Sequence, residues 1–150
     1  MKNQFVKVGL VLVATLMLCG MSANAQSLEQ RIKVNVPFDF SVGDQNFHAG
    51  EYFVQRAQPS NGDLLVRVSS RDGKATTVRM TFPVLSFDLT NKGKLIFTRY
   101  GDHYFLSEIW PTGSNTGRGL PRSKHEKEIT GDYPYEIGST TATTVVIQVR

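Results

Sequence analysis

The stretch LIFTRYGDHYFLSEIW, residues Leu95–Trp110, decides the fold class because it has the pattern of a complete β-hairpin. Two apolar-rich runs flank Gly101-Asp102, a dipeptide suited to a two-residue turn, and glycine accepts the positive φ that such a turn requires. Neither face of this hairpin is purely polar, so we expect both faces to be covered, as in the middle of a sandwich or barrel. The turn predicts the pairs Tyr100–His103, Arg99–Tyr104, Thr98–Phe105 and Phe97–Leu106, and places Glu108 opposite Leu95.

The first 25 residues are interpreted as a cleaved signal peptide. A positively charged start precedes the apolar run Val8–Gly20, and Ser22–Ala25 supplies the small residues at which signal peptidase cuts. The run is shorter than the roughly 17–25 residues of a membrane span. Acylation at Cys19 is the alternative. It is disfavoured because acylation needs a small residue directly before the cysteine, which this sequence lacks. The mature chain is therefore expected to begin at Gln26, to reach the periplasm or the extracellular space, and to have no membrane span.

Removal of residues 1–25 leaves 150 − 25 = 125 residues, which we expect to form a single β-rich domain over 26–150. A chain of this size can bury roughly two-thirds of its unfolded surface. The one cysteine leaves with the signal peptide, so no disulfide is expected. Loss of two lysines lowers the net charge from +4 to 15 − 13 = +2, so no nucleic-acid partner is expected.

Alternating apolar residues predict strands along the rest of the chain. Val34–Val42 alternates without a break and predicts one strand, edge-lying or bulged at Pro37, which cannot donate to a ladder. Leu64–Ser70 and Ala75–Phe82 flank Asp72-Gly73, the strongest short hairpin signal. Turn signals recur every 8 to 12 residues. The pattern predicts an all-β fold, an antiparallel sandwich or partly open barrel of about seven to nine strands.

The pattern changes after Trp110. Pro111–Pro121, with three glycines and two prolines, is predicted to be a loop. Ser123 and Glu126 form a capping box that predicts one short helix near residues 123–130. Thr140–Arg150 is rich in β-branched residues and is predicted to be a final strand paired with the main sheet, since such a strand would aggregate if exposed.

The motifs contain no recognisable catalytic or metal site. The histidines at 48, 103 and 125 are far apart and show no ligand spacing, and the helix face that carries His125, Glu126 and Glu128 is expected to be solvated. No serine lies in a G-x-S-x-G motif, and a mature chain without cysteine excludes thiol chemistry. We expect no catalytic residue, cofactor or metal, and a hydrolytic site would have to be assembled in space.

The Gly113–Lys127 segment is the candidate site for an anion or a partner. Its basic residues exceed its acidic ones, and its glycines are expected to turn backbone N–H groups outward toward an anion. The spacing does not match a Walker motif, which needs G-x-x-x-x-G-K-[ST]. The alternative is that Arg118 and Arg122 bind carboxylates such as Glu108 and have only a structural role. The candidate residues are Gly113, Ser114, Asn115, Gly117, Arg118, Arg122 and Lys124.

The runs VNVPFDFSVGDQNFHAGEYFVQR (34–56), RYGDHYFLSEIW (99–110) and GSNTGRGLPRSKHEKE (113–128) resemble a family of small exported β-rich proteins of acidobacterial type. The resemblance covers most of the expected mature chain. It implies export and a compact β domain. No activity, cofactor or substrate is assigned to that family, so the resemblance transfers no functional residue.

These patterns together favour an exported, non-enzymatic binding or structural module of the cell envelope. The expected partner is an anionic envelope component or another envelope protein. Two alternatives remain open. The first is a small secreted hydrolase, which would show a contact between a serine and a histidine or two convergent carboxylates. The second is a barrel that binds a small apolar ligand, which would need a cavity of roughly 300 Å³ or more lined by aromatic residues.

Overall fold

The computed structural model describes residues 31–57, 64–90, 92–131 and 141–149, without the side chains of 88–90. The predicted signal peptide at 1–25 and the predicted first mature residue, Gln26, lie outside the described residues. So do residues 59–62 and 132–139, whose sequence pattern predicts loops. Within the described ranges, no helix is both long enough and apolar enough to cross a membrane.

The described residues are organised as strands, with a single helix near the C-terminal end. The strands are β1 (Ile32–Val36), β2 (Phe40–Val42), β3 (Gln45–Phe47), β4 (Gly50–Arg56), β5 (Leu65–Ser70), β6 (Thr76–Met80), β7 (Phe82–Thr90), β8 (Lys94–Tyr100), β9 (His103–Trp110), β10 (Ser114–Gly119) and β11 (Thr143–Gln148). The helix α1 (Lys124–Thr130) lies between β10 and β11.

The strands form two sheets packed face to face, so the predicted all-β sandwich is confirmed. One sheet has the order β1-β4-β5-β6. The other has the order β11-β8-β9-β10-β7, and the β2-β3 hairpin joins it through a parallel bridge between Ser41 and Phe105. Neither sheet closes into a barrel over the described ranges. The eleven strands of the described residues exceed the predicted seven to nine because one predicted strand is divided, one predicted loop contains a strand, and the short strand β3 was not predicted.

The divided strand is Val34–Val42, which was predicted to be continuous. β1 ends at Val36 in the four-stranded sheet, and β2 begins at Phe40 in the other sheet. Pro37 lacks an N–H, so the ladder ends there and the chain crosses from one sheet to the other. Val34, Val36, Phe40 and Val42 are nevertheless all buried, because both strands turn the same alternating residues toward the space between the sheets.

The central hairpin has the predicted turn, and its four predicted pairs are confirmed, from Tyr100–His103 to Phe97–Leu106. Beyond them the register shifts, because Ser107 is an extra residue that has no partner on β8. Leu95 therefore pairs with Ile109, and the predicted pairing of Glu108 with Leu95 is wrong. The bulge turns Ile109 into the core, where 3% of its surface remains exposed.

Both faces of the hairpin are covered, as predicted. Leu95, Phe97, Leu106 and Ile109 belong to the core between the sheets. On the opposite face, Tyr100, Phe105 and Trp110 are also buried, although they lie outside that core cluster. Helix α1 lies over part of this second face, with the ring of His125 6.0 Å from that of Phe105.

Helix α1 begins and ends where the capping pattern predicted. The Ser123 hydroxyl accepts a hydrogen bond of 3.0 Å from the Glu126 N–H, and Gly131 ends the helix in the left-handed conformation at φ 65°. The expectation that Glu126 lies on a solvated face is wrong. Only 7% of Glu126 is exposed, and its carboxylate lies 3.4 Å from Nε of Arg122.

The final strand, β11, pairs antiparallel with β8 of the same chain, as predicted. Its register places Val145 opposite Phe97 and Ile147 opposite Leu95. Val145, Ile147 and Val149 pack against the core. β11 therefore forms one edge of the larger sheet, and β7 forms the other.

Candidate functional site

The segment predicted to be a loop at Pro111–Pro121 contains the strand β10, so that prediction is wrong. Gly113, at φ +71°, makes the turn that leads out of β9. β10 then pairs with β7 over most of its length and with the end of β9. The loop was predicted from the glycines of this segment, but in the structure those glycines permit close packing within a sheet.

Gly117 and Gly119 lack side chains because aromatic rings occupy that space. A Cβ atom on Gly117 would lie 2.7 Å from the ring of Trp110, and one on Gly119 would lie 2.4 Å from Cε2 of Phe82. Contacts that short do not occur between real atoms, so a larger residue would displace the rings. These two glycines therefore serve packing and are not an outward-facing nest for an anion.

The structure divides the predicted site residues between two places. Ser114 and Arg118 line a cavity between the two sheets, Gly113 and Asn115 are exposed, and Gly117 is buried against Trp110. The other two basic residues lie at helix α1. The predicted site is therefore not one cluster in the structure, since Ser114 and Arg118 lie at the cavity and Arg122 and Lys124 lie at the helix. Anion binding by any of them stays a prediction.

Arg122 and Lys124 make contacts that hold the helix in place. Arg122 Nη2 donates to the Tyr100 hydroxyl at 2.9 Å and to Oγ1 of Thr130 at 3.1 Å, in addition to its contact with Glu126. The backbone N–H of Lys124 donates to Oδ1 of Asp44 at 3.2 Å. Arg122 therefore contacts a carboxylate, as the structural alternative expects, but that carboxylate belongs to Glu126 and not to Glu108, which accepts from Nε1 of Trp110.

The inter-sheet cavity has a volume of about 280 Å³ and an apolar floor. Ile32, Val54 and Val66 come from the four-stranded sheet, and Ile109 comes from the facing sheet. All four are at least nine-tenths buried. The remaining lining residues are Gln55, Arg56, Pro111, Ser114, Thr116 and Arg118.

Strand register explains why the two arginines reach this cavity. Arg118 on β10 pairs with Ile109 on β9, and paired residues direct their side chains to the same face of a sheet. Arg56 on β4 pairs with Val66 on β5 in the same way. The sequence held a signal that Arg56 faces inward. Tyr52, Val54 and Arg56 alternate along one strand, so Arg56 continues the face on which Tyr52 and Val54 are buried.

The cavity lining combines apolar side chains with positive charge. A guanidinium group stays charged at physiological pH and presents several N–H donors in a plane that matches a carboxylate or a phosphate. Ser114 and Thr116 add two hydroxyl groups. None of the described lining residues is acidic or a histidine. The arrangement suits a molecule that has an apolar body and an anionic group.

A second hollow, of about 260 Å³, brings together the three histidines that are distant in sequence: His48, His103 and His125. The rings of His103 and His125 lie 5.9 Å apart. No group of three or more His, Cys, Asp or Glu side chains that could hold a metal ion occurs within the described part of the chain.

The same hollow contains a pair formed by His48 and Asp39, whose Nδ1 and Oδ2 atoms are 3.2 Å apart. The N–H of Ala49, and next the His48 ring, hold the pKa of Asp39 below its usual value. Ser41 lines this hollow too, but its hydroxyl donates to Oδ1 of Asn46 at 2.8 Å and not to a histidine. The side chains of His48 and Asp39 are 95% and 70% exposed, so their interaction is well screened by water.

Fold and cavity define the protein as a β-sandwich with a small cavity between its sheets. Comparison with known proteins adds no family to this description: no protein-family model, no curated protein and no solved structure matches the chain. Its function therefore has to be argued from its own geometry.

Proposed function

We propose that this protein is an exported, non-enzymatic binding module of the cell envelope, and that its inter-sheet cavity binds a small molecule with an apolar body and an anionic head. The observation that carries this proposal is the pairing of an apolar floor with Arg56 and Arg118. The pattern of residues 1–25 supports export. We retain the anionic partner that the sequence predicts, but we place its binding site in the inter-sheet cavity.

The size and chemistry of the cavity support a small ligand. Ligand cavities span roughly 300–1,000 Å³ and are mostly apolar, with a few polar groups that fix orientation. This cavity, at about 280 Å³, lies just below that range, so it would hold only a short chain or a single ring. Burial of apolar ligand surface against Ile32, Val54 and Ile109 contributes about 25 cal/mol per Å². The arginines supply charge-assisted hydrogen bonds to the anionic head.

The lining also supports binding in preference to catalysis. Ser114 and Thr116 are the hydroxyl side chains among the described lining residues, and that lining includes no histidine or carboxylate to act as a base for them. A hydroxyl without an adjacent base is a weak nucleophile. Both hydroxyls also donate within β10, Ser114 Oγ to the Thr116 carbonyl at 3.0 Å and Thr116 Oγ1 to Oδ1 of Asn115 at 3.3 Å, so the proposed anionic head is bound by the arginines.

The test compares three probes in a thermal-shift assay: octanoate, octanol and acetate. Octanoate has both the apolar body and the charge, whereas octanol lacks the charge and acetate lacks the body. Only octanoate is expected to raise the unfolding midpoint substantially. Arg118→Gln keeps polarity but removes the charge, and should raise the dissociation constant for octanoate by roughly 10- to 100-fold, as expected for loss of a hydrogen bond to a charged group.

The matched control is Arg71→Gln, which also removes one positive charge but lies on the β5-β6 turn, away from the cavity lining. It should bind octanoate as the wild type does. Equal responses to octanoate and octanol, or undiminished binding by Arg118→Gln, would contradict the proposal. Intact-mass measurement on protein from its host tests export separately, since a mass that retains residues 1–25 would contradict it.

A further inference from the structure

The β6-β7 side of the sandwich carries nearly all of the large apolar side chains that are exposed in the described residues. Seven such side chains are more than 40% exposed, and the seventh, Val146, lies on β11 at the opposite edge of the larger sheet. We call the other six the apolar edge: Leu64, Val78, Met80, Phe82, Leu85 and Phe87.

The apolar edge wraps around the side of the sandwich, where the chain passes directly from β6 to β7. Phe82 pairs with Gly119 and Leu85 pairs with Thr116, so these two side chains lie on opposite faces of β7. β6 is the outermost strand of the smaller sheet and β7 is the outermost strand of the larger one. Thr81 links them, and both its N–H and its hydroxyl donate to the carbonyl of Leu64, at 2.7 and 2.9 Å. Leu64 is thereby held beside the junction, with Met80 and Phe82 on either side of Thr81.

Phe87 is the most exposed member of the apolar edge because β7 bulges away from β10. Thr90 pairs with Ser114 and Leu85 pairs with Thr116, so four residues of β7 lie opposite Asn115 alone. Phe87 lies within this bulge and has a relative exposure of 109%, and Leu85 has 76%. Aromatic and branched side chains this exposed are unusual on a monomer surface unless another molecule covers them.

We propose that the apolar edge is a homodimer interface, in which a second copy of this chain packs its own β7 side chains against the first. Taking roughly 150–250 Å² for a fully exposed large side chain, the six residues expose on the order of 700 Å² over both faces of this side of the sandwich. A second copy that encloses the edge from both faces would therefore cover an area close to the ~800 Å² per partner of a standard interface.

Charge also favours a second copy over a charged partner. Residues 82–87, FPVLSF, contain no charged side chain, so a two-fold contact of this segment with itself opposes no like charges. When identical surfaces meet across a two-fold axis, the assembly is closed at two copies. Neither copy then has an exposed apolar edge left to bind a third. The inference does not depend on the cavity proposed above, which lies between the sheets.

The contact is made by side chains and does not extend the sheet. Pro83 has no N–H to offer a further strand, and the bulge at Ser86–Leu89 interrupts the row of backbone groups on β7. Proline and bulges are the features that natural edge strands use against open-ended pairing. They leave Leu85 and Phe87 to pack across the two-fold axis.

The test is sedimentation equilibrium of protein expressed from the full 150-residue sequence, over concentrations up to about 100 μM, because interfaces of this area bind with micromolar or tighter constants. The wild type should sediment as a dimer. Phe87→Asp places two like charges at the two-fold axis and should raise the dissociation constant at least 30-fold, roughly the effect of losing one hot spot. Leu85→Asp is a second, independent disruption.

Val146→Asp is the matched control, since it makes the same change at an exposed apolar residue outside the apolar edge. It should remain a dimer, and all variants should keep the wild-type circular dichroism spectrum, because the substituted side chains lie at the surface. A wild type that is monomeric throughout, or Asp variants at 85 and 87 that still dimerise, would overturn the inference. So would a monomer that loses binding to a different envelope protein when Phe87 is changed.

Discussion

Replacement of Gly117 by alanine tests the packing at the centre of β10. An added Cβ would lie 2.7 Å from Cδ2 and Cε2 of Trp110, whereas carbon atoms pack at about 3.5 Å or more. The indole would have to move by about 0.8 Å to restore that spacing. Its Nε1 donates to Oε2 of Glu108 at 2.7 Å, so the movement also strains this hydrogen bond.

Two opposing effects determine how much Gly117→Ala changes the free energy of unfolding. Overpacking of a filled site costs about 1–3 kcal/mol. Alanine also restricts the unfolded chain, which favours folding by about 0.4–1 kcal/mol wherever the native backbone conformation suits it. Gly117 has no positive φ, so this gain applies. We expect Gly117→Ala to lower the free energy of unfolding by about 1–2 kcal/mol overall.

Gly50→Ala is the control. It also lies in a strand without a positive φ, but its added Cβ would find only the Tyr52 ring, at 3.9 Å. This variant should be unchanged or more stable. Urea titration followed by the fluorescence of Trp110, the one tryptophan, measures both variants and reports the indole environment directly. If Gly117→Ala is as stable as Gly50→Ala, with an unshifted emission maximum, the packing role of Gly117 is refuted.

Three further predictions concern stability. Because the pKa of Asp39 in the folded protein lies below its usual 3.8, its ionised form stabilises the fold above that pH, and the contribution is lost as pH falls. Asp39→Asn should therefore be less stable than wild type near neutral pH but lose less stability on acidification, measured by urea titration at several pH values; parallel pH profiles would contradict this. Ser123→Ala should cost about 1 kcal/mol by removing the cap of α1, while Ser123→Thr should keep most of it. Deletion of Thr144–Arg150 should destabilise the fold or cause aggregation, because β11 covers the edge of β8; an unchanged thermal midpoint would show that this strand is dispensable.

Local features of the fold were predictable because their signals lie within a few residues. The turn at Gly101-Asp102 sets four cross-strand pairs by proximity alone, and the Ser123–Glu126 spacing sets the start of the helix. Side-chain alternation did not predict the Ser107 bulge. The sequence of β9 fits a plausible strand pattern both with a bulge at this residue and without one. In the structure, the Ser107 carbonyl accepts a hydrogen bond from the N–H of Leu120, which lies beyond β10 and is not a near neighbour in the sequence.

The candidate site was only partly predictable. Arg118 and Ser114 were identified from local charge and polarity, and both line the cavity. Arg122 has the same charge and lies four residues from Arg118, yet its guanidinium is engaged by Tyr100, Glu126 and Thr130. Which arginine faces a cavity depends on strand register and on the path of the chain after β10, and neither is a local property.

The amino-acid pattern alone was enough for the β class, the main hairpins, the helix caps and the pairing of the last strand, since each rests on side-chain alternation or on contacts between near neighbours. The tertiary structure was needed to place Val34–Val42 in two sheets, to turn a glycine-rich segment into β10, and to bring Arg56 and Arg118 to one cavity. Those outcomes depend on which strands become neighbours and on where aromatic rings find space against a glycine backbone. They are decided by the packing of residues far apart in the sequence, such as Arg56 and Arg118, which are 118 − 56 = 62 positions apart, and local sequence does not encode that packing.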